Sequence, residues 1–190
     1  MARIAVIVGH ARAGTFCEAL GEAYKRGATD VGHEARLFVT SRMTFDPVLH
    51  EGFASVQPHE PDLKAAYEAM LAADHLVLIF PLWLGTLPAI FKGFLERVLQ
   101  PESGRSSQGG QVRAAAQRQI GARDFTMGMP GFVYRWWFGA HALKMLKRNI
   151  LGFMGVGPVR STIYGYVEGV GAERRKKWLQ DMERLGRLGR

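Results

Sequence analysis

Asp74-His75-Leu76-Val77-Leu78-Ile79-Phe80 runs straight into Pro81-Leu82-Trp83-Leu84-Gly85-Thr86-Leu87-Pro88 and then into Ala89-Ile90-Phe91-Lys92-Gly93-Phe94-Leu95-Glu96-Arg97-Val98. The first segment is an apolar run of strand length, the second is punctuated by prolines and a glycine, and the third repeats apolar residues at helical spacing. This is the unit of an open α/β sheet whose strands are covered on both faces. Ligands of such sheets sit outside the carboxyl ends of the strands, where the loop places Trp83, a flat apolar wall beside backbone amides. That combination suits a planar, hydrogen-bonding ring. An ordinary connection with Trp83 buried for packing accounts for the loop equally well when the loop is taken alone.

A second unit of the same kind begins near the N-terminus. Arg3-Ile4-Ala5-Val6-Ile7-Val8 is a short apolar run, Gly9-His10-Ala11-Arg12-Ala13-Gly14-Thr15-Phe16-Cys17 follows it, and a helical stretch extends from Glu18 to about Arg26. Backbone N–H groups at the helix start, the positive end of the helix dipole, the Thr15 hydroxyl and the Arg12 guanidinium all favour an anion there. Gly9 and Gly14 are too far apart for the G-x-G-x-x-G fingerprint, and the Gly-Lys-Ser/Thr ending of a P-loop is missing. The turn therefore suits a single phosphate better than a pyrophosphate. A plain βα turn with Thr15 as N-cap is the alternative.

The rest of the chain alternates in the same way. Strands are expected at 3–8, 34–40, 75–80, near 123–127 and at 159–166, with helices between them; Pro61 opens one whose apolar positions Leu63, Ala66, Tyr67, Met70 and Leu71 trace one face until about Ala73. Alternation of this kind implies a parallel sheet with right-handed crossovers and helices on both sides. Two linkers stand out, Arg42 to Glu60 and Pro101 to Ala122, and no internal repeat is visible.

Composition fits one soluble α/β unit. The chain has 190 residues, of which 47% are hydrophobic, enough for a full core. No run approaches the ~20 apolar residues of a membrane span, and the N-terminus carries no signal-peptide pattern. One cysteine excludes an internal disulfide, and a cytoplasmic location is expected. The formal charge is +8, and half of that excess lies in residues 173–190, where seven basic residues face three acidic ones. Trp178, Leu179, Met182 and Leu185 recur there at helical spacing, which reads as an amphipathic terminal helix packed on the sheet with a basic outer face. That face is solvated, or it meets an acidic membrane surface or a nucleotide phosphate; no nucleic-acid-binding motif is present.

Taken together, four segments resemble one family. Gly9-His10-Ala11-Arg12-Ala13-Gly14-Thr15-Phe16, then Phe45-Asp46-Pro47-Val48-Leu49, then Phe80-Pro81-Leu82-Trp83 with Pro88-Ala89 and Lys92-Gly93, and last Thr126-Met127-Gly128-Met129-Pro130 before Tyr134-Arg135-Trp136 follow the order of the flavodoxin-like NAD(P)H:quinone oxidoreductases. The resemblance runs from about Arg3 to Gly169. It implies a single domain over 1–190, of three-layer α/β/α architecture with a five-stranded parallel sheet in the order 2-1-3-4-5. It also implies FMN, preferred to FAD because the chain is short and the first loop is built for one phosphate, with NAD(P)H as co-substrate, a quinone-like small molecule as acceptor, and no metal.

By the same resemblance, His10, Arg12, Thr15, Phe16 and Cys17 hold the phosphate end. Pro81, Leu82, Trp83 and Leu84 line the isoalloxazine, and Thr126, Met127, Gly128 and Met129 form a second flavin loop. Tyr134 and His141 are the catalytic candidates. Family members are homodimers, and the aromatic cluster Phe132, Tyr134, Trp136, Trp137 and Phe138 suits such a contact, with core packing as the alternative. The family also includes ancillary flavoproteins of glutathione-gated potassium efflux systems, so a flavin-binding ancillary subunit of a membrane transporter is the second functional reading. A flavodoxin-like electron carrier fits poorly with so basic a chain.

One segment departs from the family. The fourth strand is internal in this order and should read as a continuous apolar run, yet it reads Ala122-Arg123-Asp124-Phe125-Thr126, and Gln108 to Gln119 is equally unlike the family. Two explanations fit: a shift of reading frame in the gene over roughly residues 102–124, or a short strand whose charges reach solvent at one edge.

Overall fold

The computed structural model describes residues 1–52, 54–100, 120–127, 136, 139–152 and 155–189, the stretch 120–127 by its backbone alone. Its elements are β1 (Arg3–Val8), α1 (Phe16–Asp30), β2 (Glu34–Val39), a 3₁₀ turn (Thr40–Arg42), α2 (Pro61–Ala72), β3 (His75–Pro81), α3 (Ala89–Val98), β4 (Ile120–Met127), α4 (His141–Met145) running into a π-helical stretch (Leu146–Leu151), β5 (Val159–Gly165) and α5 (Ala172–Arg187). The strands form one sheet in the order β2-β1-β3-β4-β5, and every ladder is parallel.

β3 is buried along its whole length, which is why its sequence shows no polar alternation. Burial of each large side chain in that run contributes about 1.5–3 kcal/mol. Side chains of successive residues point to opposite faces and seed two cores. Ala5, Ile7, Leu76, Leu78 and Phe80 pack with Leu63, Phe91 and Phe94 of α2 and α3 on one face, joined by Leu146 and Leu151. Ile4, Val6, Val8, Val77 and Ile79 pack with Leu20 and Tyr24 of α1 and Met182 of α5 on the other.

The linker after β2 is pinned rather than loose. Arg97, fully buried on α3, donates to the carbonyls of Asp46 and Pro58 and pairs with Glu60 at 2.9 Å. Gly93 has the Pro47 backbone against it, since a Cβ there would lie 2.4 Å from the Pro47 oxygen. The Lys-Gly pair of the third motif and the Asp-Pro of the second are thus two sides of one contact.

β4 begins at Ile120, three residues before the expected start. Its register is unbroken through the two charged positions, Leu78 opposite Arg123 and Ile79 opposite Asp124, then Phe80 opposite Phe125 and Pro81 opposite Thr126. The unusual residues therefore continue the ladder. Residues 101–119 lie outside the described residues.

Candidate functional site

Because every strand is parallel, the carboxyl ends of β1, β3, β4 and β5 share one edge of the sheet. A cleft of about 400 Å³ opens there, lined by His10, Arg12, Gly14, Thr15, Phe16 and Cys17 from the β1–α1 loop and first helical turn, Pro81, Leu82 and Trp83 after β3, and Val167, Glu168 and Arg175 after β5.

The first wall is held by hydrogen bonds its sequence sets up. Thr40, buried at the end of β2, has its hydroxyl 2.9 Å from the His10 carbonyl and accepts from the His10 N–H at 3.0 Å. The Gly9 N–H donates to the Ile79 carbonyl at 2.8 Å, and a Cβ on Gly9 would lie 2.1 Å from the Phe91 ring. Only glycine fits where this loop crosses the core. Gly14, at φ +68°, donates its N–H to Glu18 at 2.7 Å, and Glu18 also pairs with Arg42 at 2.5 Å. Glu18, the third residue of α1, thus reaches back and ties the loop backbone to the helix start.

Thr15 does not act as a cap. It occupies the N-cap position of α1, yet its hydroxyl makes no capping bond, and Oγ1 is buried with no hydrogen-bond partner in the structure. A buried hydroxyl without a partner costs free energy unless something arrives to bond it. It sits at the positive end of a helix of 15 residues, and Thr15 lines the cleft together with Arg12. A phosphate oxygen fits that donor set.

The second wall is a two-residue hairpin. Trp83 and Thr86 exchange both backbone hydrogen bonds, at 3.0 and 2.9 Å, around Leu84 at φ +48° and Gly85 at φ +78°. Positive φ at both central positions defines a type I′ turn. Leu84 is fully exposed at the tip and is not among the cleft-lining residues, while Trp83 keeps 43% exposure and meets the His10 ring edge-on, 5.1 Å between centroids. The Trp83 N–H is spent on Thr86, so Trp83 offers the cleft its ring and not its amide. His10 in turn accepts the Arg12 N–H on Nδ1 at 2.9 Å. Burial first, and the Arg12 charge second, push its pKa below the ordinary histidine value, so the ring is neutral with its proton on Nε2.

The third wall joins the basic terminal helix to the loop after β5, a loop that the sequence did not single out. Val167 and Glu168 follow Tyr166, a non-glycine residue at φ +59°, and Arg175 lies in the second turn of α5. The strand pairing puts Thr126 beside Pro81 and Tyr164, and Met127 beside Gly165, so the end of β4 lies between the second and third walls. Gly128, Met129 and Tyr134 fall outside the described residues, as do Phe132, Trp137 and Phe138. Trp136 is 88% exposed, and His141 is exposed at the start of α4 and does not line the cleft. Among the described residues no group of three or more histidine, cysteine or acidic side chains could hold a metal ion, and no helix is long and apolar enough to cross a membrane.

Residues 2–186 match the family model described as Flavodoxin-like fold. The chain belongs to that family. Among curated relatives, an uncharacterized NAD(P)H oxidoreductase of Haemophilus influenzae is 24% identical over 142 residues, 73% of this chain and 70% of the relative. Among solved structures, an NAD(P)H:quinone oxidoreductase from Methanothermobacter marburgensis superposes with a TM-score of 0.72 at 20% identity, covering 97% of this chain and 94% of the other. An FMN-dependent NADH-azoreductase from Bacillus anthracis, solved in complex with FMN, gives a TM-score of 0.66 at 13% identity with all of both chains covered. At these identities the structural likenesses speak for the flavodoxin-like fold alone.

Proposed function

We propose that the cleft binds FMN and that this flavodoxin-like chain, acting as one domain over 1–190, is an FMN-dependent NAD(P)H:quinone oxidoreductase. One observation carries the reading: Thr15, whose buried hydroxyl has no hydrogen-bond partner, lines the same cleft as Trp83. An anion point and an aromatic wall on one cleft are what a flat ring with a single phosphate tail requires. FMN is preferred to FAD because this wall offers one such point. The azoreductase of Bacillus anthracis solved in complex with FMN supports the choice.

When bound, FMN supplies two-electron chemistry, taking a hydride from a nicotinamide and passing the electrons to an acceptor. The residues of this chain hold and shield it. Thr15, Arg12 and the first turn of α1, which includes Phe16 and Cys17, bind the phosphate. Pro81, Leu82 and Trp83 would line the ring, and Thr126 and Met127, at the end of β4, would lie beside it. Neutral His10 donates from Nε2 without setting a second positive charge beside Arg12. Gly128 and Met129 would complete the second loop in this reading, with Tyr134 as the residue that would carry charge during hydride transfer; His141 does not line the cleft and takes no part in it. Donor and acceptor use the one cleft in turn, which makes the kinetics ping-pong. The acceptor is a small quinone, the chain forms a homodimer through its aromatic cluster, and it works in the cytoplasm. A second reading, an ancillary flavin-binding subunit of a potassium-efflux transporter, draws on the exposed basic run Arg174 to Lys177 of α5.

The test is the visible spectrum of the purified protein after FMN is added and excess removed, followed by NAD(P)H under anaerobic conditions. Retained flavin bands that bleach with NAD(P)H support the reading. Absence of retained flavin at saturating FMN overturns it. Replacement of Tyr134 by Phe should slow the bleaching at constant FMN content.

A further inference from the structure

The first two turns of α5 carry Arg174, Arg175, Lys176 and Lys177 in succession, with Glu173 the one acid in the first turn. Cations at the N-terminal end of a helix sit against the positive end of its dipole, an arrangement that costs stability instead of adding it. Among the described residues none of the four is in an ion pair, and Arg174 is placed over the Trp178 ring, 5.5 Å from its centroid. Arg175 alone of the four lines the cleft, on the same cavity as Thr15 and Arg12.

How it comes to be there follows from packing. The crossover from β5 brings α5 back over α1, where Gly27 has the Glu183 backbone against it and Gly186 has the Tyr24 backbone against it. Trp178 then meets Phe16 at 6.0 Å and Tyr164 at 5.3 Å between ring centroids. Phe16 directly follows Thr15, so the start of α5 is fastened beside the start of α1. A guanidinium placed there matches a phosphate bidentately, which a lysine cannot do.

Resting on the FMN reading, we infer that Arg175 is a further phosphate-binding residue, reaching from the C-terminal helix to the anion held at Thr15. Glu168, on the same wall, accepts from the hydroxyls of the chain that joins phosphate to ring. Cations and a buried hydroxyl at one end, with a carboxylate beside them, complement a ligand that carries a phosphate next to a polyol.

Riboflavin, which has the ring and polyol but no phosphate, isolates the claim. Flavin-fluorescence quenching is titrated with FMN and with riboflavin for the parent chain, Arg175→Gln, Arg175→Lys and Lys177→Gln. The expected result is an FMN dissociation constant raised about tenfold or more in Arg175→Gln, a partial rise in Arg175→Lys, and riboflavin binding within twofold of the parent throughout. Lys177→Gln, exposed and away from the cleft, should bind FMN like the parent. Equal FMN affinity in Arg175→Gln and the parent overturns the inference, and so does an equal loss of FMN and riboflavin binding. If Arg175→Gln keeps FMN but loses affinity for NADP⁺ and not NAD⁺, Arg175 serves the donor instead, and the inference fails. A parent chain that binds neither flavin refutes the FMN reading itself, a separate outcome.

Discussion

Gly27→Ala tests the packing that places α5. A Cβ at Gly27 would lie 1.9 Å from the Glu183 carbonyl oxygen, 2.7 Å from its carbon and 2.9 Å from its Cα. All three are backbone atoms of a helix, so no rotamer change relieves the contact. The helices must part by more than an ångström. Alanine in place of glycine favours an isolated helix by about 1 kcal/mol, whereas forced separation of packed elements costs about 1–3 kcal/mol and more when the backbone has to move. Separation here also loosens Met182, fully buried between α5 and the sheet, and the rings of Trp178 and Phe16. The net expectation is a loss of about 2 kcal/mol, which for a chain of this length lowers Tm by about 4–8 °C. Urea unfolding of the parent, Gly27→Ala, Gly186→Ala and the double variant supplies the measurement. The second substitution should cost less than the first, because the helices have already parted. A Gly27→Ala chain as stable as the parent, or more stable, would refute the claim that the crossing is closed to a methyl group.

Glu60→Gln leaves the buried Arg97 without its carboxylate and should cost about 2–3 kcal/mol by urea unfolding. Burial pushes the Glu60 carboxyl up, but its hydrogen bonds from Arg97 and from the Asp46 N–H outweigh that and hold it below the usual carboxylate range. The parent therefore keeps this contribution above the ordinary carboxylate pKa and loses it as pH falls through the lower folded value, a dependence absent from Glu60→Gln. His10 should titrate below the ordinary histidine pKa, with Nε2 protonated in the neutral form, as read by ¹⁵N chemical shifts. Its unfolded form binds the proton more readily, so stability falls as pH drops below about 6.5; a normal midpoint would refute the assigned tautomer and burial. Leu84→Asn should raise stability by about 0.5–1 kcal/mol, because Leu84 is held at φ +48° in a turn whose first position favours asparagine. An unchanged or lower Tm would count against that turn type.

The parts of the fold that could be read from sequence are those where burial is uniform or periodic. β3 is apolar from Leu76 onward because both its faces are covered, and α3 keeps its expected bounds because Pro88 stops the chain before it. β4 was placed three residues short because Arg123 and Asp124 interrupt the apolar run, while the ladder, a property of the backbone, continues through them. The proposed anion point rests in the sequence on Thr15 and the helix start, and the structure adds what the sequence does not show. Thr15 holds the N-cap position yet makes no capping bond, and its buried hydroxyl has no partner. The hairpin was not legible, since leucine is a poor choice for a left-handed position and only the neighbouring Gly85 hinted at a turn. Trp83 was read as a source of both ring and amide, and the hairpin takes the amide.

The third wall of the cleft had one weak signal, the basic face of the terminal helix, for which a nucleotide phosphate is one of three readings. Val167, Glu168 and Arg175 are separated from Thr15 by about 150 residues of chain, and charge runs at the ends of helices are ordinarily solvent-facing. What could have pointed to them is a conflict and a coincidence. The conflict is a run of cations at the wrong end of a helix dipole. The coincidence is that Gly27 and Gly186, unremarkable within their own helices, lie where α1 and α5 cross with no room for a Cβ. Two helix-weakening glycines on different helices are each a small loss of propensity; together they let backbone meet backbone and bring the start of α5 to the start of α1. The stability given up at those positions is thus spent on register, and register is what puts a C-terminal guanidinium and an N-terminal hydroxyl on one cleft. A substitution that widens the crossing should therefore weaken FMN binding more than riboflavin binding, although Gly27 and Gly186 line no part of the site. If Gly27→Ala loses both flavins in the same proportion, the crossing supports the cleft as a whole and does not set the reach of Arg175.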